Sequence, residues 1–118
     1  MKNIRVREIS EVEFGAAVLG STRTVLVGFL AGWSKPCQLL EPVMGEVAEA
    51  CGEKAEVLRV DVDDNPDLGT LYGIQSVPTL IYFVNGSPRA KIIGMASAEA
   101  ILTKLESLVP GTSLATER

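Results

Sequence analysis

Two stretches, TVLVGFLA (24–31) and AEVLRVDV (55–62), constrain this chain more than anything else in it. Both are rich in β-branched residues and carry too few polar positions to alternate cleanly. Strands of that kind are buried on both faces, in the middle of a sheet that helices cover on either side. The segments around them must therefore supply helices for two layers.

They do so in a regular order. NIRVRE (3–8) alternates apolar and charged residues and predicts a short strand. SEVE (10–13) has the Ser-x-x-Glu form of a capping box. A helix is expected from there to about Leu19, with Phe14 and Val18 on one face, ending at Gly20-Ser21. After the first buried strand, a long helix should run from near Ser34 to Cys51, stopped by Gly52. Leu39, Leu40, Val43, Val47 and Ala50 form its expected apolar stripe, and Pro42 should kink it. DNPDLGTLYG (64–73) reads as a short helix entered through Asn65-Pro66 and closed by Gly73. PTLIYFV (78–84), the turn Asn85-Gly86 and RAKIIG (89–94) read as a hairpin. SAEAILTKLESLV (97–109) is a final helix with Ser97 as N-cap, and GTSLATER (111–118) is expected to be a frayed tail. The order βαβαβαββα predicts an α/β domain over residues 1–110, with a mixed sheet and helices on both faces.

Composition limits the function classes. With 118 residues, 47% of them hydrophobic, the chain can bury a core without disulfide staples. A net charge of −4 argues against nucleic acid or an anionic membrane as partner. No apolar run reaches the roughly 18 residues of a membrane span, and the N-terminus lacks a secretory h-region, so a cytoplasmic location is expected. The absence of histidine removes Cys–His and Ser–His nucleophile pairs and most zinc sites. Neither a metal nor a cofactor is expected, and a monomer is the expected state.

The chemistry-bearing stretch is GWSKPCQLLEP (32–42). In its plain reading Ser34 is a helix N-cap, Pro36 sits in the first turn, and Cys37 is a small buried residue. In its functional reading Cys37 lies near the positive end of a helix, where a thiolate is stabilised. Disulfide exchange needs two sulfurs, one to attack and one to release the mixed disulfide. Only one is here. Cys51 lies 14 residues further along the same helix, roughly 21 Å at about 1.5 Å per residue. A disulfide needs Cα atoms within about 7 Å, so Cys51 reads as a packing residue. In SVPTL (76–80), Pro78 is either a plain turn proline or follows a cis Val77-Pro78 bond.

Taken in order, VLVGFLAGWSKPC, Pro42, VDVDDNP, YGIQSVPTLIYFVNG and IIG make the chain resemble the thioredoxin family over about residues 4–109. The resemblance implies a thioredoxin fold: a central five-stranded mixed sheet flanked by four helices. It implies protein-disulfide reduction as the family activity and a thioredoxin reductase as a possible partner. By position, Trp33 matches the tryptophan flanking the site, and Pro36 and Cys37 match the motif's proline and resolving cysteine. Pro78 matches the family's cis-proline, Val77 the residue that pairs with a bound peptide, and Gly94 the opposite wall of that groove. Gly73 and Ile74 match the nearby loop, and Lys35 stands in place of the motif's glycine.

Two positions depart from the pattern. Ser34 replaces the attacking cysteine. Gly28 stands where the family usually carries a buried aspartate, thought to take the resolving thiol's proton. A serine hydroxyl barely ionises near neutral pH and cannot form a disulfide, so dithiol turnover is not available to the chain as written. Three readings fit. The first is a divergent protein, weak or inactive in exchange, that binds a protein or peptide partner in the Trp33/Pro78 groove. The second is an ordinary reductase disabled by replacement of its cysteine with Ser34. The third is a monothiol protein using Cys37. The double departure favours the first, and it predicts sluggish disulfide reduction from Ser34→Cys, improved by adding Gly28→Asp.

Overall fold

The computed structural model describes residues 5–109. Residues 3 and 4 of the expected first strand and the tail expected at 111–118 lie outside that range. Within it the chain forms β1 (Val6–Glu8), α1 (Glu11–Phe14), β2 (Thr24–Leu30), α2 (Lys35–Cys51), β3 (Ala55–Asp61), α3 (Pro66–Leu71), β4 (Thr79–Val84), β5 (Ser87–Ile93) and α4 (Ala98–Leu108). The sheet order is β1-β3-β2-β4-β5. β1, β3 and β2 run parallel, whereas β4 is antiparallel to both β2 and β5. The expected mixed sheet is present, with β2 at its centre.

Every residue of β2 is buried, as its unbroken apolar run requires. Alternate side chains serve the two faces. Leu26 and Leu30 join Leu40, Met44, Val47, Ile101 and Leu105 of α2 and α4. Val25, Val27 and Phe29 join Phe14, Val18 and Leu68 on the side of α1 and α3. Each strand residue is thus covered whichever way it points. Among the described residues no helix is long and apolar enough to cross a membrane.

Local signals act as their chemistry dictates, with two differences. The capping box forms: Ser10 N–H donates to Glu13 Oε1 at 3.0 Å. The helix it starts does not stay α-helical to Leu19. From Gly15 it widens into a π turn, closed by Gly20 N–H donating to the Gly15 carbonyl at 2.7 Å. The second difference is the face of α2. Cys37, Leu40, Met44, Val47, Ala48 and Cys51 are buried, Val43 is half-buried, and Ala50 is exposed. Leu39, expected on the stripe, is 54% exposed. The buried set repeats at the helical period from Cys37, so Leu39 and Ala50 fall on the outer side. The helix runs unbroken through Pro42, which leaves the Gln38 carbonyl without its helical donor. At the hairpin, Asn85 (φ 51°) and Gly86 (φ 80°) both take the left-handed conformation of a tight two-residue turn.

Candidate functional site

The site is built where β2 leaves the sheet. Residues 31–34 turn out of the strand, held by Ser34 N–H donating to the Ala31 carbonyl at 3.1 Å. Ser34 then caps α2: its Oγ accepts from the Cys37 amide at 3.3 Å. Ser34 is only 3% exposed, so its hydroxyl is committed to the helix end rather than offered to solvent. Pro36 stands in the first turn, where its missing N–H is not needed. Lys35 and Pro36 are both exposed.

Cys37 faces inward at 2% exposure, and its Sγ accepts from the Ala31 amide at 3.4 Å. That burial leaves the monothiol reading without an accessible nucleophile. Cys51, at the far end of α2, is 8% exposed; both cysteines are free thiols. Burial pushes the Cys51 thiol above its ordinary value, although backbone hydrogen bonds at Cys51 and Ala55 and the charges of Arg23 and Arg5 pull the other way. It is a packing residue and offers no route to a covalent dimer.

Trp33 is 73% exposed, yet it is tethered. Its indole Nε1–H donates to Asp63 Oδ2 at 2.8 Å. Asp63 sits in a turn organised by Asp61, whose Oδ1 accepts from the amides of Asp63 and Asp64. The sequence reading did not single out Asp63. The conformation that brings it to Trp33 belongs to the β3–α3 loop and leaves no mark on residue spacing.

Strand register brings the second half of the site alongside. Phe29 pairs with Thr79, and Thr79 pairs with Ile93, so the ends of β2, β4 and β5 lie side by side. The Val77–Pro78 bond is cis, the sharper of the two alternatives open from sequence. Pro78 is buried, and its carbonyl accepts from Gly94 N–H at 2.9 Å. Gly94 adopts φ 91°, a conformation that side chains other than glycine rarely take. Val77 is half-buried against the core cluster that contains Cys37. Ile74 is half-buried on the opposite side of the sheet, with the cluster that contains Phe29. Ile93 and Met95 flank Gly94 and are exposed.

The two departures have different physical standing. At position 34 only the atom differs, oxygen for sulfur, at a helix start whose geometry is intact. At position 28 the space itself is occupied. A β-carbon on Gly28 would lie 2.8 Å from Met44 Cε and 3.3 Å from Leu80 Cδ2. An aspartate put back there would require the Met44 thioether to move aside.

What surrounds Gly28 was not foreseen from sequence. In register across the sheet, Glu8, Arg59, Gly28, Leu80 and Ile92 form one row on the α2 side. The Arg59 side chain is 10% exposed and donates to Glu8 Oε1 at 3.0 Å and to Glu41 Oε2 of α2. Beside it opens a cleft of about 260 Å³, with Ala31, Gln38, Glu41, Arg59 and Asp61 among its walls.

Comparison with known proteins agrees with this architecture. A family model described as Thioredoxin matches residues 5–107. The chain is 36% identical over 103 residues to a thioredoxin of Mycobacterium tuberculosis, covering 87% of this chain and 89% of that one. It is 37% identical over 103 residues to the bifunctional thioredoxin reductase/thioredoxin of Mycobacterium leprae, covering 87% of this chain but 22% of that longer protein. Among solved structures, a mutant thioredoxin from Halobacterium salinarum superposes with a TM-score of 0.82 at 32% identity, covering 92% of this chain and 95% of that one. A chloroplastic thioredoxin z gives 0.83 at 32% identity, with coverage of 92% and 97%. The sheet, the helix-start cysteine, the cis Val77–Pro78 bond and these matches lead to one assignment: the chain belongs to the thioredoxin family.

Proposed function

We propose that this single thioredoxin-like domain engages protein or peptide chains in the groove between Trp33 and the Val77–Pro78/Gly94 edge, and that its disulfide exchange is blocked at Ser34. The observation that carries the reading is that Cys37 is the one thiol at the helix start. Its neighbour is a capping hydroxyl, and Cys51 lies at the far end of the same helix. A lone sulfur can form a mixed disulfide but has no second sulfur to resolve it. In the groove, the exposed indole of Trp33 and the exposed Ile93 and Met95 supply apolar contact. The backbone of Val77, just before the cis bond, would supply strand-like hydrogen bonds to an extended partner.

A second reading is supported by the intact surroundings of position 34: an ordinary protein-disulfide reductase, served by a thioredoxin reductase, in which a serine has replaced the attacking cysteine. Both readings share the block at Ser34, and the first adds the departure at Gly28, so it expects sluggish reduction from Ser34→Cys where the second expects full activity. The test is reduction of a disulfide-linked protein by the native chain and by Ser34→Cys, with a dithiol as terminal reductant. The native chain is expected to show no catalytic turnover and Ser34→Cys to show it. Turnover by the native chain at a rate similar to the variant would overturn the proposal.

A further inference from the structure

We infer that Asn65, braced by the start of α1, is a positioning residue for Trp33, and that this brace holds the indole in place before any partner arrives. The inference rests on the reading that Trp33 forms one wall of the partner groove. A side chain that must be ordered on binding weakens the complex, by roughly two- to tenfold in affinity when it is rich in rotamers. Trp33 is 73% exposed and belongs to neither core cluster, so packing does little to order it. Its anchor is Asp63 Oδ2, and Asp63 lies on the β3–α3 loop. The indole is therefore placed only as firmly as that loop.

Asn65 is buried and holds the loop from two sides. Toward the sheet, its backbone N–H and its Nδ2 both donate to the Asp61 carbonyl, each at 3.0 Å. Asp61 is the last residue of β3, in register with Leu30, and its Oδ1 accepts from the amides of Asp63 and Asp64. Toward α1, Asn65 Oδ1 accepts from the Glu11 amide at 3.0 Å. Glu11 returns the contact: its Oε2 accepts from the Asp67 amide at 3.1 Å. The starts of α1 and α3 thus cap each other across the fold. Among the described residues, hydrogen bonds from outside the β3–α3 segment reach positions 63–67 from Trp33 and from Glu11.

A turn closed by an aspartate side chain is a local structure, and by itself it leaves the loop free to pivot about the end of β3. The contact with α1 removes that freedom. α1 is pinned to the sheet by Phe14, in the same cluster as Leu68 of α3. A buried polar group is costly to leave unpaired, so Asn65 keeps both of its contacts and couples the loop to that fixed point. The line of support runs from α1 through Asn65 and Asp61 to Asp63, and from Asp63 to the indole.

Trp33 is the chain's single tryptophan, so one indole resonance reports on it directly. The experiment measures solvent exchange of the indole N–H by nuclear magnetic resonance in the native chain and in Asp63→Ala, Asn65→Ala, Glu11→Ala, Glu11→Gln and Ser97→Ala, with folding checked by circular dichroism. Asp63→Ala sets the untethered limit. Asn65→Ala should approach that limit. Glu11→Ala should exchange on the order of fivefold faster than the native chain, the worth of one typical hydrogen bond. Glu11→Gln keeps an acceptor oxygen and should match the native chain. Ser97→Ala removes the cap of α4 and should lower stability without touching the indole. Native-like exchange in folded Asn65→Ala and Glu11→Ala, or an equal acceleration in Ser97→Ala, would overturn the inference. If Asn65→Ala does not fold, Glu11→Ala and its rescue by Glu11→Gln decide the matter. The readout needs neither a partner nor turnover, so the proposed function stands or falls separately.

Discussion

Gly28→Asp is the substitution that most directly probes the centre of this sheet. The new β-carbon would sit 2.8 Å from Met44 Cε and 3.0 Å from its Sδ. Non-bonded carbons rest at about 3.5–4.0 Å, so Met44 must retreat by roughly an ångström. Its methyl is the tip of a flexible chain, but the residue is buried and its neighbours are packed. Overpacking of this kind costs about 1–3 kcal/mol, and the added carboxylate must be desolvated beside an Arg59 that already has two partners, so a total loss of about 3 kcal/mol is expected. Met44→Ala alone should cost about 2–5 kcal/mol by opening a cavity. In the double variant the aspartate occupies the space the thioether vacates. Its cost should fall short of the sum of the single costs by about 1–2 kcal/mol, within the range for residues in contact. Urea unfolding of the four proteins of this cycle, followed by far-ultraviolet circular dichroism, measures the coupling. Costs that add to within about 0.5 kcal/mol would refute the claim that Met44 fills the place of a side chain at position 28.

Other expectations are more local. Ser34→Ala removes the cap of α2 and should cost about 1 kcal/mol in urea unfolding, whatever it does to chemistry. Tyr82 is fully buried, its hydroxyl donates to the Ile101 carbonyl at 3.0 Å, and burial pushes its phenol up to about 12. The folded state therefore holds this proton more tightly than the unfolded one. The resulting stability is complete below about pH 10 and is lost as pH climbs toward about 12, by roughly 2–3 kcal/mol. Tyr72 and Cys51 are shifted upward by burial and add to the same alkaline loss. Tyr82→Phe should flatten the Tyr82 share of the slope in unfolding measured at pH 9 to 12. Cys51 should resist alkylation near neutral pH in the folded protein and react promptly in denaturant, read by mass spectrometry; ready modification of the native chain would contradict its burial. Arg59→Ala should cost about 2–3 kcal/mol in urea unfolding, because Glu41 and Glu8 lose a largely buried partner while remaining part-exposed themselves.

Much of this protein was legible before any fold was known, and the reason is locality. The burial of β2, the turn at Asn85-Gly86, the caps at Ser10, Ser34 and Ser97 and the stop at Gly52 each follow from interactions within a few residues. So does the isolation of Cys37, since helical rise alone separates it from Cys51. What the sequence left open depended on which residues meet across the fold. The outward turn of Leu39 follows from how α2 is rotated against the sheet. Asp63 reaches Trp33 only because a loop closes that way. Position 28 reads as a plain gap in the chain, and only the packed sheet fills it with Met44. The carboxylate against Arg59 comes from a helix turn that no strand pattern points to. Caps, turns and periods are decided by neighbours along the chain. Where a charge or a sulfur finds its partner is decided by register and helix rotation, which exist only once the layers have packed.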